Sequence, residues 1–153
     1  MPTLETGADR ARQERIMQRL TPVLGGQVVE CQHFSACDYM VIVDGIITLG
    51  VEVNSPLISE QTARGYGDLM LHYSRVTSLL TLRNVLRIAV RVVWGFDDGR
   101  GPLWSLDPVR LTDVWPDPPP ARRDQRGASA DKELVVMVPW TMLRPVRPPG
   151  EQS

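Results

Sequence analysis

Lysine is almost absent from this chain, since Lys132 is the only lysine among its 17 basic residues. Net charge is also nearly absent, because 18 acidic residues leave a formal charge of −1 at pH 7. This balance excludes a strongly basic protein that binds nucleic acid through its overall charge. Any such contact must come from a local patch of arginines. A GC-rich coding sequence explains the preference for arginine as well as function does.

Long apolar runs and a cysteine framework are missing too. No run approaches the length of about 20 residues that spans a bilayer, and the opening "MPTLETGADRARQER" lacks the apolar stretch of a signal peptide. We therefore expect a cytoplasmic protein with no membrane partner. Cys31 and Cys37 show no metal-ligand spacing with either histidine, so we expect two free, half-buried thiols.

The periodicity of the chain predicts one α/β (α+β) domain over residues 1–146 and a disordered tail over 147–153. The elements follow the order α-β-β-β-α-β-β-loop-β, which is typical of a mixed central β-sheet flanked by helices. A single helix is expected from Ser59 to about Thr81, and a mobile loop rich in proline and arginine at 116–131. The helix would bury Tyr66, Met70, Tyr73, Thr77 and Leu80 on one face.

Two β-branched runs around Asp44-Gly45 predict a β-hairpin with an acid on each strand. Asp38 opens the first strand and Glu52 closes the second, so both carboxylates lie at one end of the sheet. Paired carboxylates can hold Mg²⁺ or Mn²⁺, and such an ion lowers the pKa of a bound water for phosphodiester hydrolysis. Glu14 is a candidate third acid and the backbone carbonyl of Val53 a further ligand.

The register of the hairpin tests this interpretation. With a two-residue turn, Asp38 falls opposite Val51, which places Glu52 on the other face of the sheet. A metal site therefore requires one extra residue in the hairpin, in a three-residue turn or in a bulge at Gly50. Without that residue, the two acids are solvated residues at strand ends.

Taken in order, these segments resemble the PD-(D/E)XK nuclease superfamily, most of all its small phage-encoded members. The segments concerned are the helix with a glutamate, the strand opening in Asp, the "DG" turn, "VEVN", "YGDLMLHYSRVTSLL", "VRVVWGFDDG" and the late "ELVVMVPW". The resemblance covers roughly residues 5 to 143. It implies a restriction-endonuclease-like core and Mg²⁺- or Mn²⁺-dependent hydrolysis of DNA.

The resemblance also assigns roles to residues. It implies that Asp38 and Glu52 bind the metal, that Glu14 assists, and that Asn54 stands where the family has a lysine. Asn54 donates a hydrogen bond but carries no charge, and losing one charge-stabilising donor costs about 3 kcal/mol of barrier. Arg75 is the candidate for a cation that has migrated to the following helix.

DNA contacts are expected from arginines, whose phosphate contacts are independent of sequence. The candidates are Arg12, Arg15, Arg19, Arg64, Arg122, Arg123 and Arg126. Members of the superfamily often pair, which makes a homodimer one candidate assembly. The competing hypothesis keeps the fold without catalysis, as a DNA-binding or protein-binding structural component of a phage, in the host cytoplasm or the virion.

Overall fold

A computed structural model describes residues 7–31, 36–113, 122–123 and 133–147. None of the helices in these ranges is both long and apolar enough to cross a bilayer. The helices are α1 (Gly7–Leu24), α2 (Glu60–Tyr66) and α3 (Tyr73–Leu86). The strands are β1 (Gln27–Glu30), β2 (Tyr39–Val43), β3 (Ile46–Asn54), β4 (Asp68–His72), β5 (Ala89–Gly95), β6 (Leu103–Leu106), β7 (Arg122–Arg123), β8 (Glu133–Pro139) and β9 (Arg144–Pro145).

The strands form two sheets. The larger sheet has six strands in the order β1-β2-β3-β5-β6-β9, and the smaller has three in the order β4-β8-β7. Among the strands of the described residues, only β3 and β5 pair in parallel. A parallel pair needs a long crossover connection, which here contains α2, β4 and α3. The mixed α/β class and the central mixed sheet predicted from the sequence are confirmed.

Each face of the larger sheet carries its own apolar core. On one face, Ile16, Met17 and Leu20 of α1 pack in a cluster with buried residues of β2, β3, β5 and β6. On the other face, α3 and the smaller sheet cover β5 and β6. Gly95 allows α1 to approach, because a Cβ atom there would lie 2.6 Å from the Ile16 Cδ1 atom. The sheet therefore separates α1 from α3.

The single helix predicted for 59–81 is wrong. Gly67 adopts a positive φ of 82° and ends α2, and the chain then enters β4 before it turns into α3. The segment "DLMLH" alternates apolar and polar residues as a strand does, and β8 supplies its partner. Because β8 lies some 65 residues further along the chain, the local sequence shows the helical period and gives no sign of this pairing. Tyr66, expected in the core, is 70% exposed.

The predicted loop at 116–131 contains a short strand within its described part. Arg122 pairs with Leu134 and Arg123 with Glu133, which makes β7 an edge of the smaller sheet. The remainder of 116–131 and residues 148–153 of the predicted tail lie outside the described residues.

Candidate active site

The β2–β3 hairpin contains the extra residue that a two-carboxylate site requires. The turn has two residues, since Val43 pairs with Ile46. Further along, Ile42 pairs with Ile47 and Val41 with Leu49, so Thr48 has no residue opposite it in β2. The bulge therefore lies at Thr48, so the prediction of a longer turn or a bulge at Gly50 is wrong about its place. Its consequence holds, because the shift sets Asp38 and Glu52 on the same face of the sheet.

Glu52 is a buried carboxylate with one arginine partner. Its side chain lies in the interior, with a residue exposure of 3%. The Arg75 Nη2 atom is 2.6 Å from the Glu52 Oε1 atom, whereas Oε2 has no hydrogen-bond partner among the described residues. Burial, followed by the negative charge of Asp38, raises the pKa of Glu52 to about 9, although Arg75 acts in the opposite direction.

Asp38 is fixed from two sides. The backbone N–H of Val53 donates to its Oδ2 atom at 2.8 Å, so the backbone of β3 orients the carboxylate. The Arg75 Nη2 atom lies 3.3 Å from its Oδ1 atom. The same guanidinium nitrogen thus bridges Asp38 and Glu52. Arg75 reaches them from the first turn of α3, the helix that follows the hairpin, where a migrated cation was expected.

Asn54 follows Glu52 on the same face of β3 and lines the same pocket. Its Nδ2 atom is buried without a hydrogen-bond partner among the described residues. The pocket has a volume of about 310 Å³. It is lined by Asp9, Gln13, Asp38, Glu52, Val53, Asn54, Ser55, Leu71, His72 and Arg75. The carbonyl of Val53 stays a predicted ligand.

The acid that α1 contributes to the pocket lining is Asp9, whereas the candidate third acid Glu14 lies outside it. Glu14 is exposed and forms an ion pair with Arg10 at 3.7 Å, and it does not line the pocket. Asp9 and Gln13 line the pocket instead. Within the described ranges, no three His, Cys, Asp or Glu side chains lie close enough to hold a metal together. A role for Glu14 as a third ligand stays a prediction.

The arginines expected to contact DNA from α1 have partners within the chain. Arg12 is buried and hydrogen-bonded to Asp9, so its predicted contact with DNA has no exposed guanidinium to support it. Arg15 binds the backbone carbonyl and the carboxylate of Asp98 at 2.9 and 2.8 Å. Arg19 donates to the carbonyls of Gly99 and Gly101. Arg15 and Arg19 therefore hold the turn after β5 against α1.

Arg64 stands in an aromatic cluster. Its guanidinium carbon lies 4.9 Å from the centroid of the Trp104 ring and 4.6 Å from that of Trp140. Glu60 accepts hydrogen bonds from Arg64 at 3.2 Å and from the Trp104 indole at 2.5 Å. These contacts tie α2 to β6 and to the turn after β8. The side chains of Arg122 and Arg123 and all of Arg126 lie outside the described structure, so their DNA contacts stay predictions.

The two cysteines are free thiols, as expected. Their sulfur atoms lie 3.8 Å apart, which is well beyond a disulfide bond. Cys37 is buried and Cys31 is half-buried. Burial raises the pKa of both thiols, that of Cys37 to about 12, so both stay protonated at neutral pH.

A second cavity, of about 540 Å³, opens on the α1 face of the larger sheet. Its walls are mainly apolar and come from the second half of α1, from β3, β5 and β6, and from the segment around β9. The residues that line it include Leu20, Leu24, Leu49, Val51, Val93 and Val146, with Arg91 and Arg147. Within the part of the chain that the structure describes, no carboxylate lines this cavity, so its lining differs in chemistry from that of the pocket around Glu52.

The architecture is a restriction-endonuclease-like fold, with a central mixed sheet between helices and acidic side chains at the carboxyl end of β3. The solved structures include a similar chain, Hjc, a Holliday junction resolvase from the archaeal hyperthermophile Archaeoglobus fulgidus. The two share 11% sequence identity at a TM-score of 0.50, over 86% of this chain and 84% of that one. Neither a protein-family model nor a curated protein matches the sequence.

Proposed function

We propose that this chain is a nuclease that hydrolyses phosphodiester bonds in DNA, with Mg²⁺ or Mn²⁺ held by Asp38 and Glu52. One observation carries the proposal: Glu52 is buried beside a second carboxylate, and its Oε2 atom has no partner among the described residues. Burying a carboxylate that is incompletely paired costs several kcal/mol. When both carboxylates are ionised, Arg75 neutralises only one of the two negative charges, which supports a binding role for the arrangement beyond packing.

The donor set fits a hard divalent cation. Mg²⁺ prefers carboxylate oxygen and keeps several waters, so one or two carboxylates are enough to hold it. The open Oε2 atom of Glu52 and the adjacent carboxylate of Asp38 would provide them. An ion bound there supplies a Lewis acid for a phosphate oxygen and lowers the pKa of a coordinated water.

The neighbouring side chains have roles that follow from their chemistry. The Val53 N–H holds the Asp38 carboxylate in one orientation, which preserves the ligand geometry between turnovers. Asn54 presents a buried amide donor to the pocket, where it can bind a phosphate oxygen or orient the attacking water. Arg75 brings the positive charge that Asn54 lacks. Together the two residues would do the work of the family's lysine.

DNA as substrate is supported by the resemblance in the sequence and by the shared fold, whose similar chain is described as a Holliday junction resolvase. The same considerations support a homodimer. A phage-encoded origin and a phage protein partner rest on the sequence resemblance alone. Because Arg12, Arg15 and Arg19 have partners within the chain, DNA contacts are expected mainly from residues at the mouth of the pocket.

A second function is favoured by one specific contact. Arg75 lies within 3.3 Å of Asp38 and 2.6 Å of Glu52, so the ion pairs form a closed cluster without any metal. Such a cluster would suit a nuclease-like scaffold that binds DNA or protein and no longer cleaves.

Cleavage assays separate the two functions. Linear and circular DNA are incubated with Mg²⁺ or Mn²⁺ and with wild type, Glu52→Gln, Asn54→Lys or Glu14→Gln, the last being a matched loss of a carboxylate outside the pocket. The nuclease predicts cleavage by wild type and Glu14→Gln and none by Glu52→Gln. Cleavage by Asn54→Lys alone would establish an intact scaffold with inactive chemistry, and no cleavage by any form would favour the binding role.

A further inference from the structure

Arg75 occupies the position between the two carboxylates that a bridging cation would take. One nitrogen, Nη2, contacts the Asp38 Oδ1 atom at 3.3 Å and the Glu52 Oε1 atom at 2.6 Å. We infer that Arg75 is a built-in counter-ion, which competes with the divalent cation and leaves the carboxylates when that cation binds. The inference rests on the proposed function and adds an exchange step to it.

The charges in the pocket require such an exchange. Asp9, in the same pocket, is already paired with Arg12. When Asp38 and Glu52 are both ionised, as binding of a divalent ion requires, they and the Arg75 guanidinium sum to −1, whereas adding that ion without moving Arg75 gives +1. Like charges only a few ångströms apart repel strongly in a poorly solvated pocket. Glu52 is held in the interior and Asp38 is hydrogen-bonded to the backbone of β3. The guanidinium is therefore the group that moves.

The side chain of Arg75 is free to move outward. It is 40% exposed, against 18% for the side chain of Asp38 and 5% for that of Glu52. Among the described residues its polar contacts are those with the two carboxylates, and its long stem allows several rotamers. A rotation about that stem takes the guanidinium towards the mouth of the pocket without unfolding α3.

The exchange gives a physical reason for the metal to bind before DNA. While Arg75 neutralises the carboxylates, its donors are not directed at a substrate. Once released, the guanidinium can bind a phosphate with two parallel hydrogen bonds. The metal would thus prepare the pocket for DNA both by its own charge and by freeing Arg75.

The test is a calorimetric titration of Mn²⁺ into metal-free protein at low ionic strength. Arg75→Gln removes the competing charge. Arg83→Gln is the matched control, because Arg83 is an exposed arginine of the same helix that donates to the side chain of Asn84. We expect Arg75→Gln to bind Mn²⁺ at least about tenfold tighter than wild type. We expect Arg83→Gln to stay within about twofold of wild type. Circular dichroism confirms that each variant is folded.

The outcomes separate the inference from the function beneath it. Equal or weaker binding of Mn²⁺ by a folded Arg75→Gln, with wild type still binding, would overturn the exchange and leave the metal site in place. Absence of Mn²⁺ binding by every form would overturn both. As a second measurement on wild type, the Arg75 Nε–Hε resonance should move on addition of Mg²⁺. An unchanged resonance at saturating Mg²⁺ would contradict displacement.

Discussion

Val51 and Glu52 are neighbours in β3, and both are buried, at 0% and 3% exposure. Val51 faces α1 and packs with Ile16, Met17 and Leu20 among apolar side chains. Glu52 faces α3 and lies against Asp38 and Arg75. Burial of Val51 stabilises the fold through the hydrophobic effect, whereas burial of Glu52 works against it. Equal burial therefore stabilises the fold at Val51 and destabilises it at Glu52. The destabilising burial of Glu52 is the one that indicates a ligand.

The two cavities repeat this contrast on a larger scale. The larger cavity, beside Val51, has mainly apolar walls. The smaller pocket collects the carboxylates of Asp9, Asp38 and Glu52 with an arginine at the carboxyl end of a parallel strand. It also holds an amide nitrogen that has no hydrogen-bond partner among the described residues. Ligands of open α/β sheets commonly bind at such strand ends. The chemistry of the lining residues, and not the volume of the cavity, indicates that the smaller pocket is the candidate site.

The largest effect is expected for catalysis on the α3 face. Glu52→Gln should lower the rate of DNA cleavage by roughly a thousandfold, since it removes a charged ligand of the proposed cation. Val51→Ala, one residue away, should change the cleavage rate by less than about threefold at a temperature where it is folded. Comparable losses in the two variants would break the distinction between the two faces.

The next effect concerns stability, and here the larger change is expected on the α1 face. Val51→Ala should lower the free energy of unfolding by about 2 kcal/mol, because it removes buried methyl groups from a packed core. Urea denaturation at pH 7 in EDTA measures the change. If Val51→Ala proved as stable as wild type, the α1 face would be less tightly packed than its geometry indicates.

The stability of the metal-free protein should depend on pH through Glu52. Its pKa is raised to about 9 in the folded chain from the usual 4.5, so the folded state binds more protons than the unfolded state between these values. The contribution of neutral Glu52 is therefore fully present below about pH 4.5 and is lost as pH rises through about 9.

Urea denaturation of wild type and Glu52→Gln in EDTA, at several pH values between 5 and 9, measures this dependence. The stability difference should shift in favour of Glu52→Gln as pH rises, and Glu14→Gln should show no such trend. A constant difference between wild type and Glu52→Gln would mean that Glu52 ionises normally.

The smallest effect is expected for Arg64, whose contacts are structural. Arg64→Ala should lower the free energy of unfolding by about 1 kcal/mol, because it removes partly exposed contacts with two tryptophan rings and Glu60. Affinity for DNA, measured by fluorescence anisotropy with Glu52→Gln as background, should change by less than about threefold. A loss of tenfold or more would restore Arg64 as a DNA contact.

Much of the fold could be predicted from the sequence because it depends on local patterns of residues. Asp44-Gly45 between β-branched runs specified the hairpin, and the demand for one extra residue followed from counting the register. The place of that residue could not be predicted, since Thr48 carries no local signal for a bulge whereas Gly50 does. The split of the predicted long helix also escaped, because β4 depends on its pairing with the distant β8.

The residues of the pocket that belong to the β2–β3 hairpin could be predicted from the sequence. Asp38, Glu52 and Asn54 follow from the hairpin, and Arg75 converges with them although its helix begins later than expected. The contribution of α1 could not be read from the sequence. Whether Asp9 or Glu14 enters the pocket depends on how α1 is rotated against the sheet, and Ile16 and Gly95 set that rotation through long-range contact.

The most direct test of the central claim is the binding of Mn²⁺ to the metal-free chain, followed by electron paramagnetic resonance for wild type and Glu52→Gln. We expect one Mn²⁺ per wild-type chain and binding weakened by at least about tenfold in Glu52→Gln. Equal binding by the two proteins, or none by wild type, would contradict a cation site at Asp38 and Glu52.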